Sequence, residues 1–202
     1  MKDSAYIRLR KRVTYEVFVR KFQRDPVRPG DIVFLGDSIT AQGDWATWFA
    51  DAPAAAGGRV VVRGIGGDSV AGLSRRLDPV LDHPAKLFLM IGTNDVWQET
   101  PTADIVEQIG RIVATIRART PATQLYVQSV TPRSAALAAA IQAVNHGLQR
   151  VAAAAGATYV ELFDLLSDDS GALRPGFSLD ELHLQPPAYD IWREAVRPLV
   201  EA

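Results

Sequence analysis

The stretch Asp31–Thr40 reads Asp-Ile-Val-Phe-Leu-Gly-Asp-Ser-Ile-Thr, and it decides the fold. Its β-branched and aromatic run predicts a buried strand over Asp31–Leu35, and Gly36 and Asp37 mark the turn at which this strand ends. Ser38 then stands at the carboxyl end of the strand, where open α/β sheets hold their binding and reaction sites. Ser38 is therefore the first candidate functional residue.

Four further apolar runs follow this strand and alternate with stretches of helical period. The predicted strands are Arg59–Arg63, Lys86–Ile91, Gln124–Ser129 and Thr158–Glu161. Strands that alternate with helices form βαβ units, which build a parallel sheet covered on both faces. We therefore expect a single domain over residues 1–202, a three-layer α/β/α sandwich around a five-stranded parallel sheet.

The helices between the strands are indicated by apolar residues at intervals of three and four. The three stripes are Val70, Leu73, Leu77 and Val80; Ile105, Ile109, Ile112 and Ile116; and Leu137, Ile141, Val144, Leu148 and Val151. Thr100 and Pro101 predict the N-cap and first turn of the second of these helices. A last helix is predicted after Pro187.

The composition excludes several classes of function. The chain has 202 residues, no cysteine and a formal net charge of −1. Without cysteine there are no disulfides, no thiolate catalysis and no cysteine-bound metal, and the charge gives no field to attract nucleic acid or an anionic membrane. The first residues contain no apolar segment that directs secretion or spans a membrane, so a cytoplasmic location is expected. A small neutral substrate fits this composition best.

Four short segments carry groups suited to chemistry, and three of them follow predicted strands. They are Gly36–Ser38, Gly64–Ser69, Gly92–Asp95 and, before the last helix, Asp180–His183. A hydroxyl becomes a nucleophile when a histidine accepts its proton and a carboxylate orients that histidine. Asp180 can fold back onto His183, whereas Glu181 should point elsewhere. The other two histidines, His83 and His146, are interpreted as structural or solvated.

Together these segments resemble the sequence blocks of the SGNH hydrolase superfamily, the GDSL lipases and esterases, over nearly the whole chain. Gly36–Thr40 looks like the first block, Gly67 falls at the glycine of the second, Asn94 at the asparagine of the third, and Asp180 with His183 match the last. The pattern is most similar to the acetylhydrolases that act on platelet-activating factor and to bacterial short-chain esterases. The resemblance implies a flavodoxin-like SGNH fold and a serine esterase that uses no cofactor and no metal.

One position departs from the family pattern. Members often carry an asparagine five residues before the oxyanion glycine, where this chain has Val62. The hydrogen bonds that such an asparagine makes to neighbouring loops are therefore expected to come from another residue. Asp37 and Asp95 are interpreted as hydrogen-bond acceptors that fix the loops.

The chemistry of ester hydrolysis assigns a role to each candidate residue. Ser38 is the predicted nucleophile, His183 the general base and Asp180 the residue that orients the base. The predicted oxyanion donors are the backbone N–H groups of Ser38 and Gly67 and the side-chain amide of Asn94. The alternative role for Ser38 is a helix N-cap, and the alternative for Asn94 is a turn residue.

Bulky residues near the predicted site favour a small acyl group. The predicted substrate-binding residues are Trp97, Gln98, Phe177 and Leu182. We expect a short, acetyl-like carboxylic ester that is hydrolysed through an acyl-enzyme intermediate. The alternatives are a lysophospholipase or thioesterase of the same mechanism and a catalytically silent module that binds carbohydrate or another ligand.

Residues 1–28 predict an N-terminal helix that packs on the domain with two apolar stripes. Tyr6, Leu9, Val13 and Val17 form one stripe, and Ile7, Tyr15, Phe18 and Phe22 form the other. A helix that packs against one sheet needs a single stripe, so the second predicts contact with another subunit in a homodimer. The alternative is a helix held between the domain and its own C-terminal helix.

Overall fold

The computed structural model describes residues 5–51 and 58–202, and within residues 5–11 it describes the side chain of residue 9 alone. Its strands are β1 (Ile32–Gly36), β2 (Val60–Gly64), β3 (Lys86–Met90), β4 (Gln124–Gln128) and β5 (Thr158–Val160). All five are parallel and form one sheet in the order β2-β1-β3-β4-β5. Each strand agrees with its predicted run to within one residue at either end, and the predicted fold class is confirmed.

The strands β1 and β3 lie side by side and are buried at every position. Their uninterrupted apolar runs suit a sheet that is covered on both faces. Gly36 pairs with Gly64 of β2 and with Met90 of β3, so the carboxyl ends of these three strands lie level. From β1 the chain passes to β2 on one side of β1 and then to β3 on its other side. Ligands bind at such a switch point.

Nine helices cover the sheet in the part of the chain that the structure describes. They are α1 (Ala5–Arg24), α2 (Ser38–Gln42), α3 (Trp45–Trp48), α4 (Val70–Ser74), α5 (Thr93–Trp97), α6 (Thr102–Arg119), α7 (Ala135–Ala154), α8 (Phe163–Leu166) and α9 (Pro186–Glu201). None of these described helices is both long and apolar enough to cross a membrane.

The two faces of the sheet bury different kinds of side chain. The face under α4, α6 and α7 is almost entirely aliphatic. On the face under α9 the rings of Phe34, Trp45, Phe88 and Tyr126 form a continuous stack with centroids 4.2 to 4.8 Å apart. Trp192 of α9 meets Trp45 edge-on at 4.7 Å. This aromatic packing fixes α9 beside the helices that follow β1.

Two predicted helix boundaries are wrong. The stripe from Val70 to Val80 is not one helix, because α4 ends at Ser74 and residues 78–80 form a separate turn of 3-10 helix. Pro79 cannot donate to a preceding carbonyl, so it begins a new turn instead of continuing the helix. Pro101 has an extended ψ of 134°, so it occupies the N-cap position that was predicted for Thr100.

The N-terminal helix α1 contacts the following chain through one of its two predicted stripes. Phe22 is buried, and Tyr15 and Phe18 are half-buried. The Tyr15 hydroxyl donates a hydrogen bond of 2.9 Å to the carbonyl of Gly72 in α4. The helix is therefore anchored next to the loop that follows β2.

The other stripe of α1 faces away from this contact. Leu9, Val13 and Val17 are each more than half exposed. The side chains of Tyr6 and Ile7, the first members of the two stripes, lie outside the described residues. The exposed stripe suits the predicted homodimer contact, which stays a prediction.

Candidate active site

Ser38 is the first residue of α2 and lies at the level end of the three central strands. Ser38 is buried, at 8% relative exposure. It follows β1, which is buried between the two layers of helices at every position up to Gly36. The N-cap of α2 is Asp37, whose Oδ1 accepts a hydrogen bond of 3.0 Å from the N–H of Ile39. Ser38 is therefore not the N-cap, and its hydroxyl is free for another partner.

That partner is His183, which the fold brings from 145 residues further along the chain. Nε2 of His183 lies 3.1 Å from Oγ of Ser38. On the other side of the ring, Nδ1 lies 2.7 Å from Oδ2 of Asp180. The three side chains thus form one continuous line of hydrogen bonds, in the order that a hydroxyl nucleophile, a base and an orienting carboxylate require.

The loop that carries Asp180 and His183 is held by its own short hydrogen bonds. Oδ1 of Asp180 accepts from the backbone N–H groups of His183, at 2.8 Å, and Leu182, at 3.1 Å. The Ser178 hydroxyl donates to the same oxygen at 3.1 Å and accepts from the N–H of Leu182. Between them Glu181 adopts a positive φ of 59° and is exposed, and the His183 ring bonds to Asp180 rather than to Glu181.

These bonds also fix the charge state of Asp180. Burial of the loop raises the pKa of the Asp180 carboxyl, but hydrogen bonds from the His183 ring and from the His183 and Leu182 backbone outweigh it and hold the pKa well below its usual range. An ionised carboxylate accepts hydrogen bonds only, so the hydrogen between the two side chains belongs to Nδ1 of His183. Nε2 is then the acceptor that faces Ser38 when the ring is neutral.

The helix α9 joins the loop to the nucleophile. The Tyr189 hydroxyl donates a hydrogen bond of 2.6 Å to the carbonyl of Ile39, the residue after Ser38. Trp192, one turn further on, donates from Nε1 to the side chain of Gln128 in β4 at 2.7 Å. Because α9 begins only three residues after His183, these bonds set the place from which the histidine reaches Ser38.

Gly67 lies in a tight turn that follows β2. The N–H of Asp68 donates to the carbonyl of Ile65 at 3.2 Å, and Gly67 between them has a φ of +72°. A turn of this type favours glycine at that position, because a side chain would strain the backbone. The N–H of Ile65 donates to the carbonyl of Gly36, so the turn lies beside the start of the Ser38 loop.

Asn94 completes the group of predicted donors at this edge of the sheet. It lies in the first turn of α5, and its Nδ2 donates a hydrogen bond of 2.9 Å to the carbonyl of Asp68. This bond fixes the amide next to Gly67 and uses only one of its two N–H groups. The structure thus brings Ser38, Gly67 and Asn94, from the ends of three adjacent strands, to one side of the sheet.

Arg76 ties these loops together and was missed by the sequence analysis. Its side chain is fully buried, and its Nε lies 2.7 Å from Oδ2 of Asp68. Its other nitrogens donate to the carbonyls of Gly36 at 2.7 Å and Arg63 at 2.9 Å. These bonds join the loops that follow β1 and β2, and a lone arginine beside an apolar stripe has no sequence pattern that would have revealed it.

The buried carboxyl groups around the site act as acceptors for backbone donors, as predicted. Asp95 accepts from the N–H of Val70 through both oxygens, and Asp37 accepts from the N–H of Ile39 through Oδ1. Burial raises the pKa of Asp37 to about 7 and the pKa of Asp95 to about 6. Burial also raises the pKa of Asp68, although Arg76 opposes the shift. Residues 5–51 and 58–202 hold no group of acids and histidines that could bind a metal ion.

The predicted substrate-binding residues differ in their surroundings. Phe177 and Leu182 are half-buried and pack against the aromatic layer under α9. Trp97 is 62% exposed at the end of α5, and Gln98 follows it, exposed as well. Their contact with substrate stays a prediction.

The two remaining histidines lie outside this site. Both His83 and His146 are exposed. Nδ1 of His83 is 3.4 Å from the neighbouring Asp82, but this pair precedes β3 and so lies at the opposite edge of the sheet from Ser38.

Comparisons with known proteins agree with this fold. The chain resembles a Streptococcus pneumonia protein provisionally described as a platelet activating factor, with 25% identity, a TM-score of 0.84 and coverage of 98% of this chain and 100% of that one. A GDSL-like lipase from Bacteroides thetaiotaomicron has 22% identity and a TM-score of 0.75, with 93% and 97% covered. An acetylxylan esterase from Geobacillus stearothermophilus, solved as a catalytic mutant, has 17% identity and a TM-score of 0.72, with 85% and 95% covered.

At the level of sequence, a search of curated proteins finds no significant match. A family profile, in contrast, matches residues 34–191, a span that holds Ser38, Gly67, Asn94, Asp180 and His183. The family profile covers most of the chain, and the fold and the position of Ser38 at the strand ends agree with it. The chain is therefore a carboxylic ester hydrolase and belongs to the GDSL-like Lipase/Acylhydrolase family.

Proposed function

We propose that this enzyme hydrolyses short-chain carboxylic esters with Ser38 as nucleophile, His183 as general base and Asp180 as the residue that orients the base. The observation that carries the proposal is the unbroken line of contacts from Oγ of Ser38 through the His183 ring to Asp180, at 3.1 and 2.7 Å. Both distances lie within the hydrogen-bond reach that proton transfer needs.

In the first half of the reaction, Nε2 of His183 takes the proton of the Ser38 hydroxyl while Oγ attacks the ester carbonyl carbon. The carbonyl oxygen becomes an oxyanion, and the negative Asp180 stabilises the imidazolium that forms. When the intermediate collapses, its bond to the alcohol oxygen breaks and Nε2 returns the proton to the leaving alcohol. In the second half, water attacks the acyl-enzyme by the same route and releases the acid with free Ser38.

The oxyanion is stabilised by donors that are in place before the substrate arrives. The proposal uses the backbone N–H groups of Ser38 and Gly67 and the second N–H of the Asn94 amide, whose first is occupied by Asp68. Fixed donors cost no reorganisation during the reaction, and the loss of one lowers the rate on the order of 10²- to 10³-fold.

The preference for a short acyl group is supported by the walls beside His183. Leu182 and Phe177 are held half-buried against the aromatic layer, so neither can move aside without loss of packing. The acetylxylan esterase in the structural comparison removes an acetyl group, in keeping with a small acyl pocket on this fold. A series of p-nitrophenyl esters from two to twelve carbons tests the preference, and an optimum at long chains would contradict it.

The nucleophile is tested with p-nitrophenyl acetate and a fluorophosphonate label. We expect Ser38→Ala to lower kcat by at least about 10⁴-fold and to abolish labelling of the peptide that contains residue 38. Ser170→Ala, a change at an exposed serine, is the matched control and should behave as the unchanged enzyme. Turnover that persists in Ser38→Ala would overturn the proposed triad, and an enzyme that turns over no carboxylic ester or thioester would support the silent binding module.

A further inference from the structure

Arg133 is a buried cation at the active-site edge that the proposed mechanism does not use. It lies on the segment that follows β4, and its side chain and backbone together are only 7% exposed. Its carbonyl accepts a hydrogen bond of 2.8 Å from the N–H of Leu173, and it forms an isolated bridge with Ala172. The backbone is therefore fixed on the same side of the sheet as Ser38 and Asn94, which also follow strand ends.

The Arg133 guanidinium differs from that of Arg76, a still more deeply buried arginine near the site. Arg76 is satisfied by the Asp68 carboxylate and two carbonyls. In Arg133, Nε and Nη1 are both buried, and neither has a hydrogen-bond partner among the residues that the structure describes. A buried charge without a partner costs free energy, and such groups cluster at binding sites, where a ligand supplies the partner.

The surroundings of Arg133 leave it charged and stacked against Trp97. Its guanidinium carbon lies 4.7 Å from the centroid of the Trp97 ring, which covers one face of the group. Burial lowers the pKa of Arg133, while the charges of Asp180, Glu181 and Asp37 act in the opposite sense. Arginine stays protonated under such opposing influences. Two of those carboxylates belong to the loop of His183, so the cation lies within electrostatic reach of that loop.

We propose that Arg133 binds a carboxylate carried by the ester substrate, with the exposed ring of Trp97 as a platform beside it. A guanidinium presents several N–H donors in one plane, and this geometry suits a carboxylate better than a neutral group. The inference rests on the proposed function, because it assigns a substrate class to the same site. The proposed substrate is anionic, whereas the overall charge led us to expect a neutral one. A net charge of −1 does not reveal a single buried cation.

Two pairs of esters test the proposal and locate the carboxylate. For the acyl side, mono-p-nitrophenyl succinate is compared with p-nitrophenyl butyrate. For the alcohol side, 4-acetoxybenzoate is compared with its neutral methyl ester. The measured quantity is the ratio of kcat/KM for the anionic ester to kcat/KM for its neutral partner. In the unchanged enzyme we expect this ratio to exceed one on one of the two sides.

The variants are Arg133→Gln, Arg133→Lys and the charge-matched control Arg119→Gln. Arg119 ends α6 and pairs with Asp78 at the opposite edge of the sheet. We expect Arg133→Gln to lower the ratio about tenfold or more, mainly through KM, with a smaller loss in Arg133→Lys. The control should keep the ratio. Equal loss on both members of a pair would make Arg133 a positioning residue and overturn the proposal.

A second measurement uses the unchanged enzyme and does not depend on the folding of a variant. Monomethyl succinate should inhibit the hydrolysis of p-nitrophenyl acetate competitively, at a concentration at which dimethyl succinate does not, and high salt should weaken the difference. Equal inhibition by the two compounds would overturn the carboxylate site. Failure of the proposed function is distinguishable, because hydrolysis of the neutral esters would then survive Ser38→Ala.

Discussion

Ser38 and His183 meet at 3.1 Å, yet they belong to regions that are held in opposite ways. Ser38 follows a buried strand, and the loops around it are joined by the ion pair of Arg76 and Asp68. The side chains of Arg76 and Asp68 are 0% and 2% exposed. The side chains of His183 and Asp180 are 34% and 53% exposed. The first region is placed by packing and buried charge, whereas the second is an exposed loop that is placed by its own hydrogen bonds and by the docking of α9 that follows it. A substitution in the first region should therefore lower the free energy of unfolding, and a substitution in the second should lower kcat.

The largest effect is expected from Asp180→Asn in the exposed region. The amide would still reach His183, but it would favour the wrong ring tautomer and could not stabilise the imidazolium, so kcat should fall about 10⁴-fold. The free energy of unfolding should change little, because this residue is half exposed. Steady-state kinetics and urea unfolding measure both quantities. Glu181→Gln, one position further on, is the control and should retain activity, and a similar loss in both variants would refute the role of Asp180.

The next largest effect is expected from Arg76→Ala in the buried region. Removal of the guanidinium leaves the Asp68 carboxylate buried without its partner, which lowers the free energy of unfolding by about 3–5 kcal/mol. The neighbouring Arg75 is exposed, so Arg75→Ala should stay within about 0.5 kcal/mol. Urea unfolding of the three proteins separates these cases. An Arg76→Ala protein as stable as the control would show that buried charge does not hold the Ser38 side together.

A smaller effect, dependent on pH, is expected from Asp37. Burial raises the pKa of its carboxyl from an ordinary 3.8 to about 7, so the folded protein binds more protons than the unfolded chain between these values. The free energy of unfolding then decreases as pH rises through this window, by about 2 kcal/mol from pH 5 to pH 7. Asp37→Asn keeps the acceptor for Ile39 and should remove the part of this dependence that Asp37 contributes, while the part that follows from the raised pKa of Asp95 should remain. The exposed variant Asp169→Asn is the control, and parallel curves for the unchanged protein and Asp37→Asn would disprove the shift.

The sequence predicts those features of the two regions that leave a pattern, either a run of similar residues or a characteristic spacing. The five strands follow from apolar runs such as Ile32–Leu35, and the pairing of Asp180 with His183 follows from a spacing of three within one loop. Single polar residues leave no such signal. Arg76, Arg133 and Ser178 act through contacts with chain that is distant in sequence or through loop geometry, so only the folded structure reveals them. The break after Ser74 was missed for a related reason, because Leu77 and Val80 are buried like Val70 and Leu73 although the helix ends before them.

The hydrogen bond from Tyr189 to the carbonyl of Ile39 has a consequence for synthesis on the ribosome. The strand and helix that present Ser38 are made early, but His183 reaches its place only when α9 docks through Tyr189 and Trp192. A nascent chain therefore carries the Ser38 hydroxyl through most of translation without the base proposed for it. Esterase activity should emerge abruptly once α9 has left the exit tunnel and docked, and until then the growing polypeptide cannot attack the cell's own esters.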